Sequence, residues 1–235
     1  MSPDAPLWEI VLVRHAEPEW VRDGLNVDNP PLTARGHEQA GLLAQRLAAE
    51  RFDEVLVSPL VRTQQTARPY LDRSGRELVV EPWLEEIRNP VWHGTPEEKA
   101  AEAWRAEKQK VSHDRWSGIE GGEPVTDFVA RINVGCSLFL EERGVSRLNT
   151  ELPVWSTERH FVPGRRSLLV AHAGTNSVSI CHLLGLQPTP WEWERFVIGH
   201  ASISVVRLLG LGDGVTFSVA RLSDNEHLPA GMRTY

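Results

Sequence analysis

Trp8-Glu9-Ile10-Val11-Leu12-Val13-Arg14-His15 is the stretch on which the reading of this chain turns. An apolar run of strand length ends in two side chains suited to holding a phosphate. Open α/β sheets bind their ligands beyond the carboxyl ends of the strands. The stretch therefore reads as a buried strand that carries Arg14 and His15 to its own tip. A second run, Ser167-Leu168-Leu169-Val170-Ala171, ends in His172 in the same manner. One Arg-His dipeptide carries little meaning, but two strand tips that each end in His form a constellation.

Working outward, residues 18–32 are rich in Pro, Asp, Asn and Gly without periodicity and read as a loop over the sheet edge. Thr33 is an N-cap for a helix whose apolar residues Ala40, Leu43, Ala44, Leu47 and Ala48 follow helical spacing. Glu54-Val55-Leu56-Val57 is a short strand, and Ser58-Pro59 reads as the cap and first residue of the next helix, which puts Arg62 in its first turn. Residues 78–81 make a third strand. Helical patterns over 95–110 and 123–142 are expected to cap the sheet. A helix over 174–184 follows the second His. Residues 202–209 and 215–222, around a Gly-rich turn, form a closing hairpin. The expectation is one α/β domain over 1–235, with a helical cap insertion at about 88–122 and a long loop at about 145–166. That loop reads equally as a substrate-selecting flap, a peripheral hairpin or a dimer contact, so a homodimer stays open.

The 235 residues are 41% hydrophobic, enough for one full core. A formal charge of −7 argues against a broad polyanion-binding face, so nucleic acid is not expected as a partner. Cys136 and Cys181 match neither a disulfide framework nor a zinc site and are expected to be packed thiols. No apolar run approaches the ~18 residues of a membrane span, and no secretory n-region is seen. A cytoplasmic protein without a membrane partner is expected.

Phosphoryl transfer needs fixed donors for the equatorial oxygens, an in-line nucleophile and an acid for the leaving group. A neutral His15 can attack phosphorus through one ring nitrogen while a backbone carbonyl holds the other. Arg14, Arg62 and His172 can converge on the oxygens, since a guanidinium stays charged and donates in pairs. Glu86 can protonate the leaving oxygen.

These residues resemble the histidine phosphatase superfamily, also called the phosphoglycerate mutase-like family. The resemblance lies in Val13-Arg14-His15-Ala16-Glu17, Pro31-Leu32-Thr33-Ala34-Arg35-Gly36-His37-Glu38-Gln39-Ala40 and Ser58-Pro59-Leu60-Val61-Arg62-Thr63-Gln64-Gln65-Thr66-Ala67. It continues through Leu84-Glu85-Glu86 with Trp92-His93-Gly94 to Ala171-His172-Ala173-Gly174. It implies a three-layer α/β/α sandwich with a mostly parallel sheet and a small helical cap. It further implies a phosphohistidine on His15, phosphate held by Arg14, Arg62 and His172, Glu86 as acid, and no metal or other cofactor. The segment Glu86-Ile87-Arg88-Asn89 differs from the Glu-Arg-His-Tyr typical of the mutase branch. A phosphatase acting on a small phosphorylated substrate is thus expected. A phosphoglycerate mutase, or a binding module that has lost turnover, is the alternative. Val21 stands where an Asn often contacts phosphate in the family, so that contact is expected either to be missing or to come from Asn26 or Asn29 of the loop. Trp20, Trp92 and Arg88 are further candidate substrate contacts. Glu85 is the runner-up acid but should face the other way if its segment is extended. His37, His113 and His227 are expected to be exposed and His182 a satisfied core residue, while His200 is mostly discounted as a site residue.

Overall fold

The computed structural model describes residues 5–148 and 151–235. Its centre is an eight-stranded sheet in the order β5-β4-β8-β1-β9-β10-β7-β6. The strands are β1 (Trp8–Arg14), β4 (Glu54–Val57), β5 (Val79–Val80), β6 (Val145–Arg147), β7 (Trp155–Thr157), β8 (Arg165–Ala171), β9 (Ile203–Leu211) and β10 (Gly214–Asp224). A separate two-stranded ribbon, β2 (Val21–Arg22) with β3 (Leu25–Asn26), lies in the loop after β1. Strands β5, β4, β8 and β1 are parallel, and from β1 outward the pairing becomes antiparallel.

Because strand side chains alternate between faces, strands buried on both sides read as unbroken apolar runs. Ile10, Leu12, Leu56 and Leu169 face one core, where they meet Cys136, Phe139 and Leu140 of α4 (Val125–Glu141) and Ile180 and Leu183 of α5 (Ala173–Leu184). Val11, Val13, Val55, Val57, Leu168 and Val170 face the other. There they meet Ala40, Leu43 and Ala44 of α1 (Ala34–Arg46) and Ala67, Tyr70 and Leu71 of α2 (Val61–Ser74). The result is the three-layer α/β/α sandwich, parallel from β5 to β1 and continued on the other side by the antiparallel β9–β10 hairpin, which lies inside the sheet instead of closing it. Thr33 caps α1 by accepting from the Gly36 N–H at 2.9 Å. Gly36 must be glycine because a β-carbon there would collide with the Glu17 carbonyl oxygen.

Several local expectations are corrected. Helix α2 begins at Val61 rather than at Pro59; Asn29 Oδ1 accepts from the Val61 N–H at 3.1 Å, and the Ser58 hydroxyl is directed elsewhere. The third strand shrinks to two exposed residues before a 3-10 turn at Pro82–Leu84. Helix α4 covers the sheet directly instead of capping it, since its apolar face is wide enough to enter the main core. Residues 145–166 hold the strands β6 and β7, which pair with each other and extend the sheet beyond β10; the connection at 149–150 lies outside the described residues. Helix α3 (Glu97–Gln109) is mostly exposed and touches β3, and α6 (Glu192–Arg195) is a single turn beside α5. Both thiols are free and buried. Among the described residues no helix is long and apolar enough to cross a membrane.

Candidate active site

The parallel register of β1 and β8 aligns Arg14 with Ala171, so the residues one step further, His15 and His172, stand side by side. Their ring centroids are 5.1 Å apart. On the other side β9 runs antiparallel, with Ile203 opposite Val13, which brings the residues preceding β9 to the same tip. His200 thereby joins the cluster, its ring 5.5 Å from that of His15. Sequence alone gives His200 little weight. The signal available was its place just before a strand that starts where β1 ends.

His15 is buried, and its Nδ1–H donates to the carbonyl oxygen of Ala16 at 2.8 Å. That bond leaves Nε2 as the lone-pair nitrogen. Burial holds the ring well below the ordinary imidazole pKa, and Arg62, His172, Arg14 and His200 add to the effect. His15 is therefore a neutral imidazole across physiological pH. The turn after it is held by the Thr66 hydroxyl, which accepts from the Ala16 N–H at 2.9 Å.

Arg14 donates through Nη1 to the Ile198 carbonyl at 2.6 Å and through Nη2 to His200 Nε2 at 3.0 Å. Arg62, in the first turn of α2, is 2% exposed, and its guanidinium lies 4.8 Å from the centroid of the Trp20 ring. Burial lowers both arginines to a pKa of about 10, while the charge of Glu86 opposes the shift in each. Both stay cationic at neutral pH. Arg14 Nε, Arg62 Nε and Nη1, and His172 Nδ1 are buried without a hydrogen-bond partner. A buried unpaired donor costs ~1–3 kcal/mol, more when charged. Four such atoms around one neutral imidazole make a site shaped for a dense oxyanion.

His172 is fully buried, and its Nε2 lies 2.8 Å from the Ser58 hydroxyl oxygen. Burial, with Arg62, Arg14 and Arg131, holds this ring well below its ordinary pKa too. Glu86 follows the 3-10 turn and meets the first turn of α5, where Oε2 accepts from the Gly174 N–H at 2.9 Å and Oε1 from the Ile87 N–H at 3.0 Å. A β-carbon at Gly174 would collide with Oε1, so glycine is what lets the carboxylate reach this position. Arg131 from α4 fixes the segment by donating to the Glu85 and Glu86 carbonyls at 2.8 Å each, while Glu123 holds its guanidinium at 2.7 Å. Neither Arg131 nor Ser58 carried a sequence signal for these roles, because both act on backbone or ring atoms distant along the chain.

The candidate substrate contacts divide. Trp20, 44% exposed, stacks on Arg62. Asn26 spends its amide donors on Thr95 and Pro96, and Asn29 caps α2, so neither supplies the donor expected in place of Val21. Trp92 is buried, with its backbone N–H donating to Asp28 Oδ1 at 3.0 Å, and serves the junction between loop and insertion. Arg88 is exposed and pairs with Glu85 at 2.7 Å, which also turns the runner-up acid outward. His37 and His113 are exposed as expected, but His227 is half-buried. His182 on α5 is half-buried rather than a core residue, with its Nε2 3.1 Å from the Ser137 hydroxyl oxygen. Among the described residues no group of three or more His, Cys, Asp or Glu is placed to hold a metal ion.

A protein from Yersinia enterocolitica described as a probable phosphoglycerate mutase GpmB is 32% identical over 188 residues, 77% of this chain and 76% of its own length. Phosphoserine phosphatase 1 of Hydrogenobacter thermophilus is 30% identical over 209 residues, 85% of this chain and 86% of its own. Among solved structures, a putative alpha-ribazole-5'-P phosphatase from Escherichia coli superposes with a TM-score of 0.66 at 26% identity, covering 92% of this chain and 97% of that one. The family model of the histidine phosphatase superfamily (branch 1) matches residues 10–144, and with the cluster at the tips of β1 and β8 this chain belongs to that superfamily.

Proposed function

We propose that this protein is a phosphomonoesterase that hydrolyses a small phosphorylated metabolite through a phosphohistidine on His15. The observation that carries the proposal is the free Nε2 of a neutral His15 among unpartnered donors of Arg14, Arg62 and His172. In the first step Nε2 attacks phosphorus as the bond to the leaving oxygen breaks, and Glu86 gives that oxygen its proton. The Ala16 carbonyl, accepting from Nδ1–H, stabilises the positive charge that develops on the ring. In the second step water attacks phosphorus, the P–N bond breaks, and the Glu86 carboxylate takes the proton. Neutral His15 and inorganic phosphate result.

The mutase alternative requires the site to retain and reorient a second anionic group. The surface cations of the neighbouring segments are instead committed to carboxylates: Arg22 to Glu19, Arg35 to Glu17, and Arg88 to Glu85. This favours water over a second acidic substrate as the acceptor. The test is rapid quench with a radiolabelled phosphate ester. An acid-labile, base-stable adduct present in the wild type and absent from His15→Ala supports the reading; undiminished turnover by that variant overturns it. Primer-dependent exchange between phosphoglycerate isomers that outpaces phosphate release would instead favour the mutase.

A further inference from the structure

The contacts behind Arg14 form a chain of hydrogen bonds whose directions are all forced. A guanidinium only donates, so His200 Nε2, 3.0 Å from Arg14 Nη2, must be the acceptor. A neutral ring that accepts at Nε2 carries its hydrogen at Nδ1, and Nδ1 lies 2.9 Å from the Thr234 hydroxyl oxygen. At the other end the Glu17 N–H donates to Gln39 Oε1 at 2.8 Å, which fixes the amide orientation. Gln39 Nε2 must then donate to Thr234 Oγ1 at 3.0 Å and to the Met232 carbonyl at 2.7 Å. Thr234 Oγ1 thus receives two donors on its two lone pairs.

The backbone is built to the same end. Ala201, fully buried, has a left-handed φ of 51°, unusual for a residue with a β-carbon. Its N–H donates to the His15 carbonyl at 3.2 Å, and the His200 N–H donates to the Thr234 carbonyl at 3.0 Å. This strained turn brings the His200 ring to Arg14. Strain of this kind persists only where the surroundings over-determine it.

We infer that His200 is a positioning residue, which aims the Arg14 guanidinium at the phosphate by accepting from it in the Nδ1–H tautomer that Thr234 and Gln39 impose. The segment around Thr234 is thereby part of the site's support. Burial, with Arg14 and Arg62 nearby, lowers the His200 pKa to about 3, so the ring keeps its accepting nitrogen at working pH. The inference rests on Arg14 as a phosphate-holding group.

The test uses the full chain and three variants, His200→Ala, His200→Gln and Thr234→Val. It reads inorganic phosphate affinity by calorimetry, kcat and KM on an aryl phosphate, and the imidazole tautomer by nitrogen NMR. His200→Ala is expected to lose roughly 10-fold or more in phosphate affinity and in kcat/KM, by the standard of one lost orienting bond to a charged group. His200→Gln, whose amide oxygen reaches as far as Nε2, should recover most of that loss, and a merely structural role would not show this rescue. Thr234→Val should show a smaller loss, and the wild-type His200 signal should be the Nδ1–H form. An Nε2–H tautomer, equal phosphate affinity in wild type and His200→Ala, or a Gln variant no better than Ala would each overturn the inference. A wild type that binds phosphate without turning over would count against the proposed function alone.

Discussion

Ser58 Oγ and His172 Nε2, from the exit of β4 and the tip of β8, lie 2.8 Å apart, which leaves Nδ1 as the ring nitrogen without a partner. The Leu60 N–H donates to the same hydroxyl oxygen at 3.4 Å, leaving the hydroxyl free to give its proton to Nε2. Nδ1, unpartnered and buried, then carries the hydrogen and is the donor available to a phosphate oxygen. The residue expected from sequence to cap a helix is thus a tautomer-setting group.

Ser58→Ala removes that proton source while keeping the backbone turn. It should lower kcat/KM roughly 10-fold, the ~1.4 kcal/mol typical of one hydrogen bond. Steady-state kinetics on an aryl phosphate check this, and unchanged activity would mean that His172 needs no partner to stay in its working tautomer.

Arg62 lies close enough to His15 to depress its pKa and has unpartnered Nε and Nη1. Arg62→Ala is expected to cut kcat by roughly 10²-fold or more, as for loss of a preorganised donor. Trp20→Leu, which removes only the stacked ring, should cost far less and chiefly in KM. If Arg62→Ala left kcat intact and raised KM alone, Arg62 would serve binding and not the transition state.

For Glu86 the informative comparison is between leaving groups. Glu86→Gln should slow alkyl phosphates much more than p-nitrophenyl phosphate, whose leaving group has little need of a proton. A defect that grows with leaving-group pKa supports the acid role. Equal slowing of both would assign the carboxylate to holding the first turn of α5, where it accepts from Gly174.

Stability should fall as pH drops from 7.5 to 5.5. His15, His172 and His200, together with His182 and His227 outside the site, have folded pKa values depressed below 6.5, so across this window the unfolded chain binds more protons than the folded one. Stability is complete above about 6.5 and declines toward the folded values. Each such ring adds to the loss as the pH falls further below 6.5, because the unfolded imidazole takes up a proton that the buried one refuses. Glu50, Glu54, Glu123 and Glu194 are lowered below 4.5 and act under this window. Thermal unfolding in phosphate-free buffers measures the slope; a flat Tm between 7.5 and 5.5 would show these rings to be open to solvent protons.

The strand tips, the Thr33 cap and Arg62 in a first helical turn were legible because each rests on local pattern: an apolar run, a capping side chain, a position relative to a turn. His200 was not, because its place follows from the antiparallel pairing of β9 with β1 and from a left-handed Ala201, a conformation that an alanine does not announce. Asn26 had the right chemistry for phosphate but spends it on Thr95 and Pro96, a competition visible only in three dimensions. Helical periodicity in α4 gave an apolar face without saying which layer it would meet.

The antiparallel course of β9 has a practical side. Starting beside the chemistry, it runs the full length of β1 and turns back between Leu211 and Gly214, beyond the opposite end of the sheet. Seven residues of β1 at ~3.3 Å each put the turn more than about 23 Å from His15. Leu211 is exposed, and a β-carbon at Gly212 would meet nothing within 4 Å. An epitope or fluorescent reporter spliced into this turn would label or immobilise the enzyme by its far end, with the strand tips left open to solution.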